Sequence, residues 1–262
     1  MEELRSKLWG ILETSPGNWG FVMLNIQDGS RLEFNPDRCF PAASMIKVPI
    51  MAELMRQAAA GVFSLDETIT VTPEACVGGA GILKDLRPNI PMTVRDLITL
   101  MIILSDNTAT NLLIDLAGMD RVNQHMADLG LKETVLRRYM MDFAAAQAGC
   151  ENSSTPADLA LLFSLIASGS TFPAPYKDLM LDILQRQQIR DKLPFYWPED
   201  TILAHKTGTL PGAEHDGGIL YLPGGPYIVV VMSSQLEANY FGLQQIAHIG
   251  RVIYQHFYPS VS

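Results

Sequence analysis

Ser44 and Lys47 stand three residues apart in "CFPAASMIKVPIMAELM", an otherwise apolar run from Cys39 to Met55. The pair has two readings. One is a helix N-cap followed by a solvated lysine. The other is a nucleophile and its base, because a serine hydroxyl attacks a carbonyl only when a neighbouring group takes its proton. Helical spacing puts both side chains on one face. A serine at the helix start would also lie near the positive end of the macrodipole and near free backbone N–H groups. No other serine in the chain has a lysine three positions later. Alone the pair is weak, since about one is expected by chance in a chain of this size.

Two tripeptides change that. Ser105-Asp106-Asn107 follows the apolar stretch "TVRDLITLMIIL", and Lys206-Thr207-Gly208, with Thr209 next, ends the strand-like "TILAHKTG". Each arises by chance in roughly a few per cent of such chains. In this order they complete the set S-x-x-K, S-D-N and K-T-G. On these residues the chain resembles the class A β-lactamases and their D,D-peptidase relatives, from its first helix to its last.

The resemblance implies a serine hydrolase that works through an acyl-enzyme on β-lactams or related amides and esters. Ser44 would be the nucleophile and Lys47 its base, with the nearby cation Lys206 and burial lowering the Lys47 pKa. Ser105 would pass a proton to the leaving nitrogen. Backbone N–H groups of Ser44 and Thr209 would form the oxyanion hole. Lys206, Thr207 and Gly208 would hold a substrate carboxylate, and Asn107 would bond the acyl-side amide and fix Lys47. Many class A enzymes use an arginine for the carboxylate. The strands of residues 201–234 carry none, so His215, in "EHDGGIL", is the substitute, with a structural role as its alternative.

One part of the family pattern is missing. Class A enzymes carry a loop glutamate, in a Glu-x-x-Leu-Asn context, that activates the deacylating water. The corresponding stretch, "LRRYMMDFAAAQAGCENSSTPADL", lacks it and resembles a branch without that glutamate. Asp142 is the candidate catalytic acid, with an N-cap or a salt bridge to Arg137 or Arg138 as its structural alternative; Glu151 is the second acid. An aspartate falls about 1 Å short of a glutamate, which can cost about 100-fold. Slow deacylation is therefore expected. The alternatives are a D,D-peptidase or esterase inhibited by β-lactams, and a non-catalytic penicillin-binding protein. S-D-N with K-T-G argues against a glutaminase.

The elements that must position these residues follow from periodicity. Residues 1–14 read as an amphipathic helix, and "NWGFVMLNIQDGSRLEFNPD" as two strands around a turn. A helix runs from Ser44 to about Ala60, and "VTPEACVGGAGILKDLRPNIP" is a long loop. Further helices end at glycines, and "TPADLALLFSLIASG" has Thr155 as N-cap. Three strands occupy residues 201–234, before a last amphipathic helix. The expected fold is α+β: an antiparallel sheet from residues 1–43 and 191–262, flanked by the terminal helices, with an inserted helical subdomain at 44–190 and the site between them.

The 262 residues are 48% hydrophobic with a net charge of -9, which suits a packed core and opposes nucleic acid or anionic membranes as partners. The expected partner is a small-molecule substrate, and the expected state a monomer. Cys39, Cys76 and Cys150 show neither disulfide nor zinc spacing, so neither metal nor cofactor is expected. The start lacks the apolar core of a signal peptide. That points to the cytoplasm, or to the periplasm or exterior if a leader has been removed.

Overall fold

A computed structural model describes residues 1–259. The chain opens with helix α1 (Glu2–Thr14), strands β1 (Asn18–Asn25) and β2 (Arg31–Phe34), and the short strand β3 (Phe40–Pro41). Helix α2 (Lys47–Ala59), strands β4 (Thr68–Val71) and β5 (Ile90–Thr93), and helices α3 (Val94–Ile103), α4 (Asn107–Ala117), α5 (Met119–Asp128) and α6 (Phe143–Gln147) follow. Then come β6 (Ser153–Ser154), α7 (Pro156–Ser168), α8 (Ala174–Gln185), β7 (Leu203–Leu210), β8 (Ala213–Leu222), β9 (Gly225–Ser234) and α9 (Asn239–Phe257).

The five long strands form one antiparallel sheet in the order β2-β1-β9-β8-β7, so the two ends of the chain share a sheet as expected. Alternation along the strands divides the interior in two. Trp19, Phe21, Met23, Val229 and Val231 face Leu4, Leu8 and Leu12 of α1 and Ile246, Ile249 and Ile253 of α9. Val22, Ile228, Val230 and Met232 face the other way, into a larger core shared with α2, α3, α4, α7 and α8. Helix α7 is apolar around most of its surface and is accordingly buried. It packs on β1, β8 and β9 and starts at the Thr155 cap, whose side chain accepts the Asp158 N–H.

Three expectations are corrected. Ser44 does not open an α-helix: a 3-10 turn at Ala43–Ile46 precedes α2. The long loop of residues 71–91 is closed at its base, where β4 pairs with β5. Helix α8, absent from the sequence reading, buries Met180, Ile183 and Leu184. Among the described residues no helix is long and apolar enough to cross a membrane.

Candidate active site

Ser44 sits in a turn gripped from both sides. The Ala42 N–H donates to Asn152 O at 2.7 Å, and Ala43 holds a left-handed φ of 47°, a conformation that costs energy away from glycine. Strand β7 closes on this turn at Gly208, where an added Cβ would lie 3.2 Å from both Ala43 Cβ and Met45 Cγ. Ser44 and Thr209 thus border one cavity of about 460 Å³, together with Asn107, Arg138 and Asn239.

Lys47, the first residue of α2, points into the protein and is wholly buried. Its Nζ donates to Ser105 O at 2.7 Å, Ser105 Oγ at 3.0 Å and Asn107 Oδ1 at 2.9 Å. Lys206 is equally buried, and its Nζ donates to Ser105 Oγ at 3.1 Å and Thr207 O at 2.8 Å. Burial lowers the Lys47 pKa from 10.5 to about 7, against the opposing pull of the Asp106 carboxylate. Lys206 falls well below its usual value, first through burial and then through the charges of Lys47 and Lys192. Lys47, the Ser105 hydroxyl and Lys206 therefore form one connected hydrogen-bonded path.

Ser105 turns towards both lysines because its backbone is left-handed, with φ 55°, at the break between α3 and α4. Asp106 holds that break. Its Oδ1 accepts the Ala109 N–H as the N-cap of α4, and its Oδ2 accepts the N–H groups of Ile82 and Leu83. Asn107 continues the clamp, since its N–H donates to Ala80 O and its Nδ2 to Gly78 O. Gly79 fits here only as glycine: a Cβ would lie 2.6 Å from Asn107 Nδ2 and 2.8 Å from Met141 Sδ.

The remaining candidates divide. Thr207 is buried beside Lys206, whereas Thr209 borders the cavity. His215 stays out of it: the ring is wholly buried, Nε2 lies 2.8 Å from Pro41 O, and Nδ1 accepts the Ser233 N–H. Burial pushes its pKa down to about 4, which leaves a neutral structural histidine where the sequence offered a carboxylate ligand. Asp142 also lies off the cavity wall, as the N-cap of α6, accepting the Ala145 N–H at 2.9 Å. Glu151 pairs with Arg138 at 2.7 Å. The loop side of the cavity is formed by Met140, Met141 and Phe143, the middle one at φ 68°.

Sequence reasoning missed Lys192, Glu214 and Asn239. Lys192 Nζ reaches Thr209 Oγ1 at 3.0 Å and Glu214 Oε2 at 2.7 Å, and Asn239 Nδ2 donates to Glu214 Oε1. No motif contains them. The only signal was a lysine and a glutamate placed where burial would force them to pair.

The model of the "Beta-lactamase enzyme family" matches residues 3–257. A β-lactamase of Sphaerobacter thermophilus DSM 20745 is 32% identical, with a TM-score of 0.88 over 98% of this chain and 97% of that one. PBP-A is 30% identical, with a TM-score of 0.89 over 99% and 97%, and a PBP-A variant has been solved as an acyl-enzyme complex with penicillin G. β-Lactamase AST-1 of Nocardia asteroides is 28% identical over 87% of this chain and 75% of its own length.

Proposed function

The chain belongs to the beta-lactamase enzyme family and is a serine hydrolase of the β-lactamase type, and we propose that it acylates readily and deacylates slowly. Unprotonated Lys47 takes the Ser44 proton as Oγ attacks the acyl carbon. The proton moves through Ser105 to the leaving nitrogen as the C–N bond breaks. Backbone N–H groups of Ser44 and Thr209 receive the developing oxyanion. Asn107 restrains Lys47 and offers its amide to the acyl side of the donor. Lys206 keeps a proton near Ser105 without meeting solvent.

One observation carries the slow second step. None of the described residues lining the cavity is acidic, because Asp142 caps α6 and Glu151 is engaged by Arg138. Discharge of the ester then lacks a positioned base for water. The same wall favours a second reading, a D,D-peptidase or esterase for which β-lactams are inhibitors; the penicillin G acyl-enzyme of the PBP-A variant supports it. A persistent adduct that blocks turnover of every ester and peptide would instead leave a penicillin-binding protein without catalysis.

Intact-mass time courses with a penicillin and a cephalosporin test the proposal. The expected result is a stoichiometric adduct that outlasts its formation many times over. A fleeting adduct with rapid product release would overturn the slow step, and no adduct would remove β-lactams as donors.

A further inference from the structure

Thr209 borders the cavity, yet its hydroxyl belongs to a buried network behind it. Oγ1 donates to Glu214 Oε2 at 2.8 Å and accepts from Lys192 Nζ at 3.0 Å. Lys192 and Glu214 are each about 1% exposed and 2.7 Å apart. Lys192 also donates to Gly208 O at 2.9 Å and His215 O at 3.2 Å. Asn239 fixes the other carboxylate oxygen at 2.7 Å. Gly242 of α9 makes room: a Cβ there would lie 2.8 Å from Glu214 Cβ.

A buried ion pair adds little net stability, since both charges lose their water. This one does something else. Its cation stands one hydrogen bond behind the strand expected to hold a substrate carboxylate, and its anion cancels that cation's field. The Thr209 proton is committed to Glu214, so the hydroxyl meets an incoming anion as a poor donor. The cation on the cavity wall itself, Arg138, is also paired, with the half-buried Glu151 at 2.7 Å.

We propose that Lys192 and Glu214 are positioning residues that fix the Thr209 hydroxyl and set the discrimination between anionic and neutral acyl donors. Glu214 restrains the affinity for a carboxylate, and Lys192 prevents its outright rejection. The proposal rests on the cavity being the acyl-donor site, but not on acylation itself.

The test measures equilibrium binding to the Ser44→Ala protein by calorimetry, with benzylpenicillin as the anionic donor and its methyl ester as the neutral one. Glu214→Gln should raise the acid-to-ester affinity ratio about tenfold, the size expected of one uncompensated charge a few ångströms behind a partly screened wall. Lys192→Met should lower it by a similar factor. The double variant should return to near the parent ratio, and Lys192→Arg should keep it. A structural role alone would move both single variants in the same direction, and that result overturns the proposal. So does an unchanged ratio, or a parent that binds neither compound. If Lys192→Met does not fold, Glu214→Gln and Lys192→Arg decide. Failure of the hydrolase reading is seen separately, as absence of a covalent adduct on the Ser44-containing protein.

Discussion

Lys47 and Lys206 share a single acceptor, Ser105 Oγ, at 3.0 and 3.1 Å, and neither lysine meets solvent. Two ammonium groups so close in a dry site repel each other and are poorly hydrated. The stable state carries less than two full charges, and the protons of the pair come off as a coupled set. In the proposed acylation, that arrangement would place a base and a proton donor within one hydrogen-bonded group.

Acylation should therefore follow the protonation of Lys47. Its pKa lies near 7, so labelling by a reactive ester should rise with pH through about 7 and then level. The same shift acts on stability. The unfolded chain binds the Lys47 proton up to about 10.5, while the folded one releases it near 7. Unfolding free energy should therefore rise with pH between those values, by a few kcal/mol at most, and Lys47→Met should remove much of that rise. Denaturant titrations across the window check this; a fall in stability there would contradict it.

Ser44→Ala should abolish covalent labelling while leaving the fold intact, because the hydroxyl borders a cavity and supports no part of the core. Ser105→Ala keeps the nucleophile but cuts the proton path, so acylation should slow by about 10²- to 10⁴-fold. Peptide mapping of the labelled site distinguishes the two. A label found on another residue of the Ser44→Ala protein would remove Ser44 from its role.

Asp106 is a different kind of residue from its neighbours in the S-D-N motif. It accepts three backbone N–H groups and never reaches the cavity wall. Asp106→Asn should destabilise the protein by about 1–3 kcal/mol. The Asp106 charge also holds the Lys47 pKa up, so the substitution should move the acylation limb to lower pH. A limb that stays in place would mean that this charge does not act on Lys47.

Two of the three motifs were legible because they lie at element boundaries that local chemistry marks: Ser44 precedes an apolar helix and Asp106 caps α4. The third was legible by its composition, although the strand expected to end at Gly208 runs on to Leu210 and keeps Lys206 among buried residues. The sheet was legible from alternation, and α7 from its cap and closing glycine. Helix α8 was not: its apolar face is short, and Pro175 and Lys177 obscure the period. Lys192 and Glu214 were illegible because a charged side chain reads as surface until its partner is known to lie 22 positions away in sequence and 2.7 Å away in space. His215 misled for a related reason. Strand position alone cannot say which face of β8 meets the cavity.

The loop without a glutamate yields the last prediction. Asp142 holds the first turn of α6 through the Ala145 N–H, and an asparagine keeps that cap. Asp142→Asn should therefore leave the lifetime of the penicillin adduct unchanged within about a factor of two, the scale on which a cap-preserving swap acts. A carboxylate introduced where the loop does face the cavity should act differently. Met140→Glu and Met141→Glu, tested singly, each put an acid on the wall that Ser44 shares. At least one should shorten the adduct's life by about 10²-fold, the lower end of what a positioned base contributes. Intact-mass decay curves give both answers. A longer-lived adduct in Asp142→Asn would restore Asp142 as the base. If neither glutamate speeds decay, the slow step has a cause other than a missing carboxylate.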